Sequence, residues 1–474
     1  MLCPALEECE ETLDVALELL WNVTDGLLQL LIQPFYYISI LFIMLFYRQQ
    51  VLMERKLFSV RLHSWGLQAW RTFVGGLVAG VGVSLVIAFL GISLTREAIV
   101  CIWVMTLVLL FLRVRYFCFA YAIGLLGVIQ FIVDFFPRWQ PGSFMGTIVG
   151  TVRELDIPSL LALVAVLHLA EAILVKKQGA SFAMPLFVES KRGKVVGGYQ
   201  MQAFWALPLF LLIPAQTTGS ILPWTPLLGG AGWSGGFSLL ALPVVIGFGE
   251  MTQSLLPHQK ASITSKRLLL YSVVILALSL LSAWWSPLMI VAALACCLLH
   301  EGLIWFSRLE EQQRNAVFVH PSKGLRVLAI VPNSPAEELG IVPGETLLKV
   351  NGIMIHSTEQ LHSCLRMNPA FCKLEVQNLA GESKYLQRPI YAGDHHQLGV
   401  ILAPDQNVSV TASMRPISIY QIIGMKLNIT KRTSIRDEVP SPESATQAVI
   451  ALAETAATTD MDIPDPVIRY PWDK

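Results

Sequence analysis

The stretch GLRVLAIVPNSPAEELGIVPGETLLKVNGIMI, residues 324–355, changes its pattern several times in quick succession. Gly324 to Pro332 is a β-branched run with partial alternation, which predicts a strand. Ser334 stands before Pro335 in the manner of a helix start, Ala336 to Leu339 continue it, and Gly340 stops it. A turn follows over Ile341 to Glu345. Leu347 to Val350 and Ile353 to Ile355 read as short strands on either side of Asn351-Gly352, a strong hairpin signal. Further on, Ser357 supplies an N-cap for a helix through Leu361, Cys364 and Leu365 to Pro369. Two more strands are expected over 371–378 and 384–391, and a last one at Leu398-Gly399-Val400-Ile401-Leu402. The whole is a small α+β domain.

The rest of the chain has a different composition. Of 474 residues, 54% are hydrophobic and only 14% charged, against about 25% charged in soluble domains. The mean hydropathy is +0.58, and nearly all of the apolar excess precedes residue 307. These figures exclude an ordinary soluble enzyme, and a protein that coats nucleic acid. They imply an integral membrane protein with a soluble C-terminal part: an α-helical polytopic membrane domain plus the small α+β domain. The eight cysteines contain no C-x-x-C pair and no spacing of a zinc site or a secreted disulfide framework. No cofactor or metal is therefore expected, and the compartment around Cys364 and Cys372 is read as reducing. Residues 1–26 carry Glu7, Glu8, Glu10, Glu11, Asp14, Glu18 and Asp25 without Lys or Arg, the reverse of a signal peptide's basic start.

A spanning helix needs about 20 apolar residues. Candidates lie near 27–47, 72–92, 97–112, 116–136, 158–175, 202–218, 237–250, 268–284 and 286–306. The span at 237–250 is short and holds Pro243, so the domain has eight or nine helices. Every second connection is basic: Arg48 to Arg71, then Arg113 and Arg115, then Lys176 to Lys194, then Lys260 to Arg267. Under the positive-inside rule the chain after Arg308 lies in the cytoplasm. With an odd count the N-terminus is outside, with an even count inside. Inside the spans stand Asp134, His168, Glu171, His300 and Glu301. His168 and Glu171, three apart, share a helix face. Such groups suit a proton path, but with no internal repeat they are read as packing or interfacial residues. Gly76-x-x-x-Gly80 gives the second span a stripe for close helix packing.

Two motifs point to hydrolysis. His300-Glu301-Gly302-Leu303-Ile304 begins like the zinc peptidase motif H-E-x-x-H, but Ile304 replaces the second histidine. Gly232-Trp233-Ser234-Gly235-Gly236 matches G-x-S-x-G, yet lies in a glycine-rich loop without the strand and helix that a nucleophile elbow requires. Neither makes an enzyme.

The S-P-A helix start, the P-G-E turn and the V-N-G hairpin together resemble a bacterial-type PDZ domain, over 307–404 with its linker. PDZ domains bind an extended chain, usually a C-terminus, as an added strand. The resemblance implies a carboxylate cradle at Gln397-Leu398-Gly399-Val400, late in the chain, hence a circularly permuted strand order. The groove wall would be Leu361, Cys364 and Leu365. Ser322-Lys323-Gly324 is an alternative cradle. The bland reading is that Leu398 and Val400 merely fill the core.

The strings RLHSWGLQAWRTFVGGLVAGVGVSL (61–85) and AFCKLEVQNLAGE (370–382) with QRPIYAGDHHQLGVIL (387–402), on this architecture, resemble the MinJ family of membrane-anchored division topology factors. That resemblance spans roughly 28–403. It implies a non-enzymatic scaffold in the bacterial cell membrane, at poles and septum, with a DivIVA-like scaffold and a MinD-like ATPase as protein partners. The bilayer is the other partner, no nucleic acid is expected, and the oligomeric state stays open. The tail, 405–474, is Ser-Pro- and Ala/Thr-rich and read as largely disordered, with 410–431 either an amphipathic surface stretch or a strand.

Overall fold

The computed structural model describes Trp21 and residues 24–405, apart from 93, 139–141, 143, 191–192, 215–225, 229–236, 369 and 390–397. The acidic head up to residue 20, the Gly232 motif, Gln397 and the tail from 406 lie outside the described residues.

The helices are α1 (Pro34–Phe58), α2 (Trp65–Leu90), α3 (Arg96–Leu112), α4 (Phe119–Phe135), α5 (Phe144–Arg153), α6 (Ile157–Gln178), α7 (Pro257–Trp284) and α8 (Leu288–Gln313). Their starts follow local chemistry. Proline opens α1 and α7, where its missing N–H costs nothing. Thr95 caps α3 by accepting from the Ala98 N–H at 3.1 Å, and Asp156 caps α6 by accepting from Ser159 N–H at 3.2 Å. By length and composition α1, α2, α6, α7 and α8 can each cross a membrane. In α6 the apolar window is 72% buried, against 17% in α8. The sixth helix is therefore the hub of the bundle, and the others turn much of their apolar surface outward, as a lipid-facing ring does.

Two expected spans are not helices. Residues 202–218 and 237–250 fall instead on β2 (Val195–Pro214) and β3 (Phe237–Thr252), which with β1 (Ala183–Glu189) form an antiparallel sheet in the order β1-β2-β3. The membrane domain is thus helical around one long hairpin. The misreading has a physical cause. Ala203 to Leu211 is apolar at both parities because the strand is covered on both faces, so the twofold period that marks a strand is missing. Pro208 pairs with Pro243, so the two donors missing from the ladder fall on one rung.

A strand edge inside an apolar domain must be covered. Beyond Met201 the outer edge of β2 has no strand partner among the described residues, and α2 takes that place. Gly76 abuts the backbone of Ala206, and Gly80 sits where an added Cβ would lie 2.6 Å from the Pro208 carbonyl. Ser84 Oγ accepts from the Phe210 N–H at 2.8 Å. The small-residue stripe read as a helix–helix contact is in fact a helix–strand contact, for the same reason: no side chain stands between the backbones. At the hairpin base, Glu311 of α8 accepts from Gln253 N–H, Ser254 N–H and Ser254 O–H, and Lys260 donates to Ser307 at 2.8 Å.

The C-terminal domain follows the sequence reading closely. Its strands are β4 (Leu325–Ile330), β5 (Thr346–Val350), β6 (Ile353–Met354), β7 (Phe371–Gln377), β8 (Ser383–Pro389) and β9 (Val400–Leu402). Their order is β8-β7-β5-β4-β9, with β6 paired to β5. Between them lie α9 (Pro335–Glu338) and α10 (Thr358–Met367). Asn351 and Gly352 both have positive φ, the geometry that an Asn-Gly hairpin turn adopts. Asn351 also donates to the Cys364 carbonyl at 3.1 Å and accepts from Lys373 N–H at 2.9 Å, tying α10 and β7 to the hairpin.

One face of this sheet closes a core of Leu325, Val327, Leu347, Val350, Leu374 and Val376 with α10. On the other, Leu328, Ala329 and Ile401 join the core of the membrane domain. The seam is specific: Tyr199 O–H donates to the Leu328 carbonyl, Gly197 N–H to Phe318 O at 2.8 Å, and Val317 N–H to Gln253 O at 2.9 Å.

Candidate peptide-binding site

The last strand, β9, stands at the end of the sheet. It pairs antiparallel with β4, Val400 opposite Ile330 and Leu402 opposite Val327. Among the described residues no strand pairs with its outer edge. This is the arrangement that strand addition uses: a short edge with free main-chain groups.

The expected site residues converge. Leu398, Leu361, Cys364 and Leu365 are all buried members of one cluster, and Val400 packs against it partly buried. The PDZ resemblance implied that Leu398 and α10 stand together, and in the structure they share this cluster. The four buried side chains fill the core as the domain stands, and Val400 is the member that keeps surface. Gly399 has a structural duty of its own. Its φ is +80°, and an added Cβ would overlap the side chain of Ser334. Its carbonyl accepts from Val331 N–H at 2.8 Å, and that of Leu398 accepts from Ala336 N–H at 2.9 Å. The carbonyls on this turn are thus used internally.

Ser334, read only as a helix start, is the residue on which Gly399 closes; nothing in the local sequence announces that pairing. The alternative cradle lies elsewhere. Gly324 packs on Thr346 and Leu347 of β5, at the seam opposite to β9. Around the domain, Lys384 pairs with Glu345 at 2.7 Å and Arg388 with Glu338 at 2.6 Å. Ser357 caps α10 by accepting from Gln360 N–H at 3.3 Å, and its contact with the backbone N–H and Ser357 holds the Glu359 carboxyl below its ordinary value.

At the His300-Glu301 motif the glutamate has partners of its own. Glu301 accepts from Tyr121 O–H at 2.7 Å and is paired with Arg115, so its carboxylate is engaged.

A polytopic helical membrane domain carrying a C-terminal PDZ domain defines the class of protein: a membrane-anchored PDZ protein. The PDZ domain family pattern matches residues 326–378. The cell division topological determinant MinJ of Bacillus subtilis (strain 168) is 31% identical over 384 residues, 79% of this chain and 93% of that protein. A MinJ protein of Lacticaseibacillus paracasei is 24% identical over 371 residues, 74% and 90% of the two chains. A protein named as a zinc metalloprotease, from Clostridium perfringens, is 25% identical over 147 residues, 28% of this chain and 43% of its own. The chain belongs to the MinJ family of cell division topological determinants.

Proposed function

We propose that this protein is a non-enzymatic membrane scaffold. Its PDZ domain faces the cytoplasm and takes a protein segment as an added strand on the outer edge of β9, beside Val400. The observation that carries this reading is the edge of β9, unpaired among the described residues, next to a partly buried apolar side chain. The named role of the relatives supports the setting, placement of the division machinery. Within it, a DivIVA-like scaffold and a MinD-like ATPase are the proposed partners, and poles and septum the proposed location. The basic residues at the end of α6, Lys176 and Lys177, and in the first three turns of α7, Lys260, Lys266 and Arg267, support a cytoplasmic C-terminal side. Counted against nine spans, the hairpin replaces two together and so leaves the parity of crossings unchanged.

The protease alternative is not favoured, because Ile304 replaces the second ligand and Glu301 is engaged by Arg115 and Tyr121. The test is a fluorescent fusion in growing cells. The scaffold reading expects signal at septa and poles, and its loss or dispersal when Val400 is replaced by lysine. A uniform membrane signal, with normal division after deletion of the gene, overturns it.

A further inference from the structure

Three side chains from distant parts of the chain meet inside the helical bundle. Cys118 stands just before α4, His168 lies midway along α6, and His300 lies midway along α8. One ligand atom from each lies within 4.8 Å of the others. Cys118 Sγ is 3.4 Å from His168 Nε2 and 3.6 Å from His300 Nε2. Around tetrahedral zinc, bonds of about 2.3 Å to sulfur and about 2.05 Å to nitrogen put sulfur and nitrogen about 3.6 Å apart. The observed separations match that spacing.

The surroundings prepare these atoms as ligands. His168 Nδ1 donates to the Val164 carbonyl at 2.8 Å, which fixes the tautomer and leaves the Nε2 lone pair towards Cys118. The two imidazoles stand 5.3 Å apart. Tyr271 packs edge-on against both, and Tyr121 against His300 at 5.0 Å. Glu171, one turn along α6, brings Oε2 to 4.0 Å from His168 Nε2 and receives no hydrogen bond from any described residue. A carboxylate in such surroundings lacks what normally stabilises it.

We propose that Cys118, His168, His300 and Glu171 form a structural site for a zinc-like divalent cation that clamps α4, α6 and α8 together. Charge supports the assignment: one thiolate and one carboxylate neutralise a dication, so the site is neutral within an apolar bundle. Three ligand atoms are gathered already, and Glu171, 4.0 Å from His168, is the carboxylate that closes the shell as the fourth. Glu301, the neighbour that a peptidase motif would use as base, is turned to Arg115 and Tyr121 instead. The ion therefore holds helices and does not activate water.

The test uses the full chain purified in detergent under reducing conditions from zinc-supplemented cells. Elemental mass spectrometry is expected to find about one zinc per chain, a closed site's stoichiometry. After stripping and refilling with cobalt, a thiolate charge-transfer band and intense d–d bands are expected. Cys118→Ser removes the charge-transfer band, whereas Cys297→Ser, a neighbouring thiol, keeps it. His168→Gln and His300→Gln lower bound zinc at least tenfold, and Glu301→Gln leaves it unchanged. A chelator lowers the melting temperature of the parent chain but not of the Cys118→Ser chain, a readout that survives if a histidine variant fails to fold. Zinc in the parent chain no higher than in Cys118→Ser, or cobalt binding without a sulfur band, overturns the proposal.

Discussion

Gly76 of α2 rests directly on the carbonyl of Ala206 in β2, so that a side chain at residue 76 would overlap main-chain oxygen. One turn later Gly80 meets Pro208 in the same way. Backbone cannot swing aside as a rotamer can, so the contact is intolerant of even one methyl. Gly76→Ala is expected to destabilise the membrane domain by about 1–3 kcal/mol, the usual cost of overpacking. Gly82, two residues beyond, has open space around it, and Gly82→Ala should stay within about 0.5 kcal/mol of the parent. Thermal unfolding of the two variants in detergent checks the difference.

Ser84 carries the polar half of the same contact. Its Oγ accepts from Phe210 N–H at 2.8 Å while its own proton goes to the Gly80 carbonyl at 2.7 Å. Ser84→Ala leaves the Phe210 N–H without its partner in an apolar site, at a cost of about 1–3 kcal/mol. Ser84→Thr keeps the hydroxyl and should recover most of it. Amide exchange at Phe210 is the direct readout: faster in the alanine variant and near the parent rate in the threonine one.

These two contacts also explain which parts of the fold were legible. The C-terminal domain is punctuated by residues whose turn chemistry is local, Asn351-Gly352, Ser334-Pro335 and Ser357, so its elements could be placed one by one. The hairpin is not punctuated in that way. From Ala203 to Leu211 both faces are covered, and a strand covered on both faces has the composition of a buried helix. Only Pro208 and Pro243 hinted otherwise, and their pairing across one rung is a fact of register. Leu361, Cys364, Leu365 and Leu398 were expected together because the PDZ pattern orders them, and they share one buried cluster. The cluster of Cys118, His168 and His300 was invisible to spacing rules, because its members come from three separate places in the bundle.

At the turn into β9, Gly399 is a folding position. A φ of +80° strains any residue with a Cβ, and here that Cβ would strike Ser334. Gly399→Ala should lower the stability of the C-terminal domain by about 2 kcal/mol or more. The second change Ser334→Gly relieves the contact and restores part of that, leaving only the backbone strain. Limited proteolysis within 325–402 follows both. If the single variant melts like the parent, the close approach of Gly399 and Ser334 is wrong.

The seam between the two domains can be loosened by one atom. Tyr199 donates its hydroxyl proton to the Leu328 carbonyl, and its ring stacks edge-on against Phe318 at 5.3 Å. Tyr199→Phe keeps the ring and removes the donor, leaving a buried carbonyl on β4 without that partner. A loss of about 1 kcal/mol is expected, expressed at the seam. Amide exchange should rise at Val317 and Gly197 and stay level in β7 and β8. Uniform change throughout the C-terminal domain would mean that the hydroxyl supports its internal fold and not the junction.

Cys372 gives the C-terminal domain a predictable response to alkali. It lies on β7, 3% exposed, among Leu374, Val376 and Leu347. Burial pushes its thiol from the model-compound 9.0 up to about 11. The unfolded chain therefore releases this proton first, so the stabilisation is fully present below about pH 9 and is lost as pH rises towards 11. A shift of this size corresponds to a loss of roughly 2–3 kcal/mol by the top of that window. Other groups titrate there too, so the measurement is a difference: urea unfolding followed by circular dichroism, parent against Cys372→Ala, at about pH 8 and about pH 10.5. The gap between the two proteins should shrink with rising pH, because the alanine chain has no thiol to ionise when it unfolds. At about pH 8 the thiolate fraction of Cys372 is on the order of one in a thousand, so iodoacetamide should leave it unmodified until the domain opens. A gap that holds constant with pH, or rapid alkylation of the folded chain, would mean that Cys372 reaches water and that β7 is not the core strand its burial makes it.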